Sequence, residues 1–137
     1  MNRNAIERAI VLLVATAIAV VVALTIRPTS PDNPARLAVL NDIVAGRAVG
    51  YTPFFIGYVA FAGFLIRWFG VQAVVWTQAA LYVLIVLLSF ETLCALDLDR
   101  RAAAAGALAV AIYPTITFTI TRIHDTGPSC FLISAFA

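Results

Sequence analysis

The chain has 137 residues, of which 63% are hydrophobic and 12% charged, and a mean hydropathy of +0.99, a profile that excludes a soluble domain with a solvated surface. Its nine basic residues are all arginines, set against seven acids for a net charge of +2. They fall in clusters between apolar runs, so the balance gives no ground for a nucleic-acid partner.

The first apolar run, Ala9 to Ile26, follows Arg3 and Arg8. Its eighteen residues rise roughly 27 Å as a helix, enough to cross a bilayer core. No small-residue cleavage site interrupts it before Arg27 and Pro28, so an uncleaved span is expected over about 9–26. "RPTSPDNPARLAVLNDIVAGRAVGYT", residues 27–52, is the longest polar stretch. Pro34 suits a first helical position with Asn33 as N-cap, and Gly46 suits the helix end. Leu37, Leu40 and Val44 share one face while Arg36, Asn41 and Asp42 avoid it, the pattern of a short amphipathic helix lying on a membrane surface.

"PFFIGYVAFAGFLI", Pro53 to Ile66, is short for a span and carries two glycines, so an interfacial segment is expected over about 34–68. Trp68, Trp76, Tyr51, Tyr58 and Phe54 read as interfacial aromatics. Residues 71–96 are long enough to span, and "DLDRR" closes them. A third span is expected over 102–123, where the period-2 "TITFTIT" is read as helix because no open sheet edge survives in lipid. Pro114 should kink it and free the carbonyl of Val110, with neighbouring threonines satisfying the loosened backbone. After Pro128 a further apolar run begins at 129 and stops at Ala137, as expected of a fragment whose parent continues through more spans. The fold class is therefore all-α, a polytopic transmembrane helical protein with an external loop carrying juxtamembrane helices. Cys94 and Cys130 lie in apolar segments and suggest neither a disulfide framework nor a metal site.

Two topologies follow. If residues 53–66 stay in the interface, Arg3, Arg8, Arg100 and Arg101 face the cytoplasm, and the loops holding Asp32 and Asp125 share the outer face. If that segment crosses, the two acids lie on opposite sides. The positive-inside tendency prefers the first arrangement.

Several residues carry chemical potential. Asp32 suits a general base for a substrate hydroxyl, and equally an ordinary surface pair with Arg36 four residues on. Asp125 can orient a substrate, bind a cation with His124, or cap the following helix. Arg122 suits a phosphate group by its planar fork, or snorkels from a span end. Glu91 is an acid inside a span, close enough to the interface to reach water, and receives no role.

The order of these parts resembles the GT-C membrane glycosyltransferases, particularly the protein mannosyltransferase and aminoarabinose transferase branch. "DNPARLAVLNDIVAGR" looks like the start of that family's first external loop. "GYTPFFIGYVAFAGFLIRWFGVQ" is similar to its proline-led juxtamembrane stretch, and the sequence from Leu96 to Phe136 is similar to the next turn, span and second external acid. The resemblance implies an inverting transfer of a sugar from a polyprenyl-phosphate donor to a hydroxyl, lipid or protein acceptor at the outer face. Asp32 would be the base and Asp125 a second catalytic acid. Arg122, His124 and Arg36 are the candidate substrate contacts. It also implies a bacterial plasma-membrane protein with a cytoplasmic N-terminus, a longer active parent, and an inactive isolated fragment. Membrane lipid is an expected partner and nucleic acid is not. No cofactor is firmly implied; a divalent cation is possible, although Asn33 stands where the family often has a second acid. The rival reading is non-enzymatic, a polytopic transporter or envelope-assembly protein in which the same acids serve caps and ion pairs.

Overall fold

The computed structural model describes residues 3–25, 38–39, 41–42, 45–47, 56–118 and 135, and among them it is entirely helical. Five helices follow one another: α1 (Arg3–Thr25), α2 (Ile56–Phe69), α3 (Val71–Ala95), α4 (Arg100–Ile112) and α5 (Pro114–Phe118). Two of them, over Ala5–Thr25 and Val71–Ala95, are long and apolar enough to cross a membrane.

The core is one seam between three helices. In α1 the buried residues are Val11, Ala15, Ala19, Val22 and Ala23, and in α4 they are Ala103, Ala107 and Ala111. Alanines four apart stack on one helix face and let neighbouring backbones approach closely. The third helix of the seam, α3, packs against both and supplies the bulk: Val75, Tyr82, Val86 and Phe90 are at most 2% exposed. Gly106 belongs to the same close approach, since a Cβ there would meet Leu93 Cδ1 at 2.7 Å. Hydroxyls within the apolar helices are spent locally. Thr25, Thr77 and Ser89 donate to the carbonyls of Val21, Ala73 and Ile85, at 2.6, 2.8 and 2.9 Å, so these three hydroxyls are satisfied within their own helices.

The connections are short. Gly70 alone separates α2 from α3, at φ 80° and ψ 170°, a backbone region open essentially only to glycine. The α3–α4 hairpin turns over Leu96–Asp99. Asp97 adopts φ 59°, its N–H reaches the Cys94 carbonyl at 3.2 Å, and the Leu98 N–H reaches Leu93 at 3.3 Å. That is a Schellman closure with aspartate where glycine is usual. Asp99 then N-caps α4 by accepting from the Arg101 N–H at 3.2 Å. The same closure ends the helical residues near position 42: Gly46 sits at φ 69° and the Arg47 N–H reaches the Asp42 carbonyl at 2.8 Å. Gly46 thus ends that helix, as expected.

The expected third span is interrupted. Tyr113 is extended, at φ −66° and ψ 119°, and splits the segment into α4 and α5. The residue before a proline is pushed out of the helical region, so the chain breaks where a kink was expected. The carbonyl left to side chains also differs from expectation. Val110 is taken by the Tyr113 N–H at 3.2 Å, whereas the Ala111 carbonyl accepts from the Tyr82 hydroxyl at 2.7 Å and the Thr117 hydroxyl at 3.0 Å. A threonine does satisfy the loosened backbone, joined by a tyrosine from 29 residues away.

Two outcomes follow in chemical denaturation of the detergent-solubilised chain. Gly70→Ala should cost about 1–3 kcal/mol through backbone strain alone, because nothing lies within 4 Å of its would-be Cβ. Tyr82→Phe and Thr117→Val share one acceptor, so each should cost about 1 kcal/mol and the double variant more than their sum, the buried Ala111 carbonyl then being orphaned.

Candidate functional site

The five residues singled out for chemistry from the sequence, Asp32, Arg36, Arg122, His124 and Asp125, all lie outside the described residues. Of the expected interfacial segment over about 34–68, residues 34–37, 40, 43–44 and 48–55 lie outside them as well. Residues 56–68 fall in α2, whose 14 residues rise about 21 Å, short of the roughly 30 Å of a bilayer core. One side of α2 exposes Phe61, Phe64, Trp68 and Phe69, with the Phe64 and Trp68 rings 6.4 Å apart. Trp76, one turn into α3, is also exposed. Together these place an aromatic cluster around the Gly70 junction.

The described polar site is at the other end of the seam. Arg8 lies five residues into α1 and Glu91 four residues before the end of α3. Their side chains meet, Nε to Oε1, at 2.8 Å. This pair establishes that α1 and α3 run antiparallel. A cleft of about 500 Å³ opens beside it. Ala5, Ala9, Leu12 and Phe90 form its apolar walls, while Arg8, Glu91 and Arg100 form its rim. Arg100 reaches the rim because the Asp97–Asp99 hairpin brings the first residue of α4 back beside the end of α3. It makes no ion pair among the described residues, so the rim carries two guanidiniums against one carboxylate.

This arrangement suits anion binding and offers no catalytic set. Among the described residues no group of three or more His, Cys, Asp or Glu is placed to hold a metal. Sequence reasoning left Glu91 without a role and read Arg8 and Arg100 only as topological markers. The available signal was depth: opposite charges stand within one residue of the same distance from the matching ends of two apolar helices, and antiparallel packing joins them.

The ion pair is half-exposed, with side-chain accessibilities of 58% and 45%, and solvent screens such pairs strongly. Glu91→Gln should therefore lower stability by less than about 1 kcal/mol, with the difference shrinking further at high salt. A loss of several kcal/mol in a denaturation series at varied ionic strength would contradict that reading. Comparison with protein-family models, with characterised proteins and with solved structures finds no match.

Proposed function

We propose that this chain is the N-terminal part of a membrane glycosyltransferase of the GT-C type, transferring a sugar from a polyprenyl-phosphate donor to a hydroxyl-bearing acceptor at the outer membrane face. The order of its sequence segments supports the reading, and one structural observation carries it furthest: the antiparallel pairing of α1 with α3 through Arg8 and Glu91. With both helices as spans, the 45 residues between Thr25 and Val71 begin and end on one side. A 14-residue α2 then lies along the surface with its aromatics in the interface.

Membrane embedding is favoured by how little of the two long helices is covered. Only 28% of the apolar window in α1 and 44% of that in α3 is buried, and Leu13 and Leu24 are 72% and 69% exposed. A core helix of a soluble domain buries its apolar residues rather than presenting them all round. On this reading Arg8, Arg100 and Arg101 mark the cytoplasmic end of a plasma-membrane protein. Asp32 belongs to the outer side. The α4 helix rises from the cytoplasmic end to mid-seam, where Tyr82 holds Ala111. The eleven residues from Tyr113 to Ile123 equal in number those of α3 from Val71 to Leu81, so the sequence is long enough to bring Asp125 to the same side.

In that arrangement Asp32 takes the acceptor hydroxyl's proton as it attacks the anomeric carbon, the polyprenyl phosphate leaves, and configuration inverts. Asp125 positions the acceptor or a cation, and Arg122, His124 and Arg36 contact donor phosphate or sugar. The rival transport reading needs ionisable groups near mid-bilayer. Among the described residues the acids inside the two long apolar helices are Glu7, near the start of α1, and Glu91, one turn from the end of α3 and paired, and neither stands near mid-helix, which lends that rival no support.

Transfer from a panel of polyprenyl-phosphate hexoses and pentoses, measured with the full-length parent in membrane vesicles, tests the assignment. Asp32→Asn should lower the rate by about 100-fold or more, the scale of a lost general base. Full activity in that variant would remove Asp32 from the mechanism.

A further inference from the structure

We propose that the cleft between the start of α1 and the end of α3 binds the phosphate of an anionic membrane lipid, held between Arg8 and Arg100. This site is separate from the transfer site and rests only on the membrane reading.

The volume is adequate. About 500 Å³ lies within the range of cavities that hold small ligands. Its chemistry is divided in the way a lipid headgroup requires. Leu12, with Ala5 and Ala9, gives exposed apolar surface for the glycerol and first acyl carbons, and the charged groups stand at the rim. Glu91 opposes an anion there, but its charge is matched by Arg8 at 2.8 Å. Among the described residues Arg100 makes no ion pair, so the side chains that line the cleft carry one net positive charge. A guanidinium has five N–H donors and a carboxylate engages at most two of them in a fork, so Arg8 retains donors for a second anion.

Depth separates a lipid from a free anion. The cleft sits at one end of both apolar helices, with Arg8 directly before the long apolar run of α1 and Glu91 one turn before the end of α3. Where those helices span a bilayer, that is the level of lipid phosphates. A soluble anion would gain nothing from the exposed Leu12, whereas a lipid uses both the apolar and the charged parts of the lining.

The test is calorimetric titration of the full chain in uncharged detergent with dihexanoyl phosphatidylglycerol, dihexanoyl phosphatidylcholine and inorganic phosphate. Saturable binding of the phosphatidylglycerol is expected, about tenfold weaker in Arg100→Gln through loss of a charge-assisted hydrogen bond. It should be unchanged in Arg101→Gln, since Arg101 is an adjacent exposed cation outside the cleft lining. Equal affinity in Arg100→Gln and the natural chain would overturn the proposal, as would equal weakening by Arg101→Gln, which indicates diffuse attraction. Phosphatidylcholine binding as tightly would remove the anion requirement. Inorganic phosphate binding as tightly would make the ligand a free anion and remove the lipid. None of these outcomes bears on sugar transfer by the parent, so the two proposals fail independently.

Discussion

Alanine at every fourth position decides how closely three helices of this chain can lie. Ala15, Ala19 and Ala23 smooth one face of α1, and Ala103, Ala107 and Ala111 smooth one face of α4. The third helix, α3, inverts the pattern, offering Val75, Tyr82, Val86 and Phe90 to fill the space. Small side chains cost little entropy to order and leave room for the neighbour's bulk, which suits a setting where lipid is as apolar as the core. The rest depends on this seam. Only because α4 is drawn close to α3 can Tyr82 reach the Ala111 carbonyl at 2.7 Å, and only because α1 lies antiparallel to α3 do Arg8 and Glu91 meet.

Hydroxyls and charges are separated along the helices. Within the apolar stretches, hydroxyls turn back on their own helix or onto a carbonyl released at the Tyr113 break. Charges appear at helix ends, as a cap at Asp99, a hairpin turn at Asp97 and an ion pair at Arg8 and Glu91. That separation is what an apolar medium imposes, because a backbone or side-chain group left unpaired there costs several kcal/mol or more. It also concentrates polar chemistry at the two ends of the seam. One end is the cleft with Arg100, and the other is the aromatic cluster around Gly70, next to which the long polar stretch of sequence departs.

The long helices were legible because length and hydropathy alone separate a span from a loop: the expected 9–26 and 71–96 correspond to α1 and α3 with shifts of a few residues, mostly at the start of α1. Gly46 as a helix end was legible for the same local reason, a left-handed residue that glycine adopts freely. Features that depend on distant partners were not. Arg8 and Glu91 are 83 residues apart in sequence, and nothing local joins them. At Pro114 the sequence indicated a bend, but the break at Tyr113 and the choice of Ala111 over Val110 follow from a tyrosine on another helix. Asp32, Arg36, Arg122, His124 and Asp125 lie outside the described residues, so their roles rest on segment order and on the topology that the antiparallel pair favours.

That topology is the hinge between fold and function. A shared outer face lets two acids act on one donor and one acceptor, and a crossing at residues 53–66 separates them by the thickness of a bilayer. The most direct test is thiol labelling of the protein in its membrane with Cys94→Ser and Cys130→Ser as background and Asp32→Cys or Asp125→Cys as the single target. A membrane-impermeant reagent applied to intact cells should modify both positions. If Asp32→Cys is labelled and Asp125→Cys reacts only after the membrane is opened, the two carboxylates cannot share a site, and the transferase proposal loses the geometry that supports it.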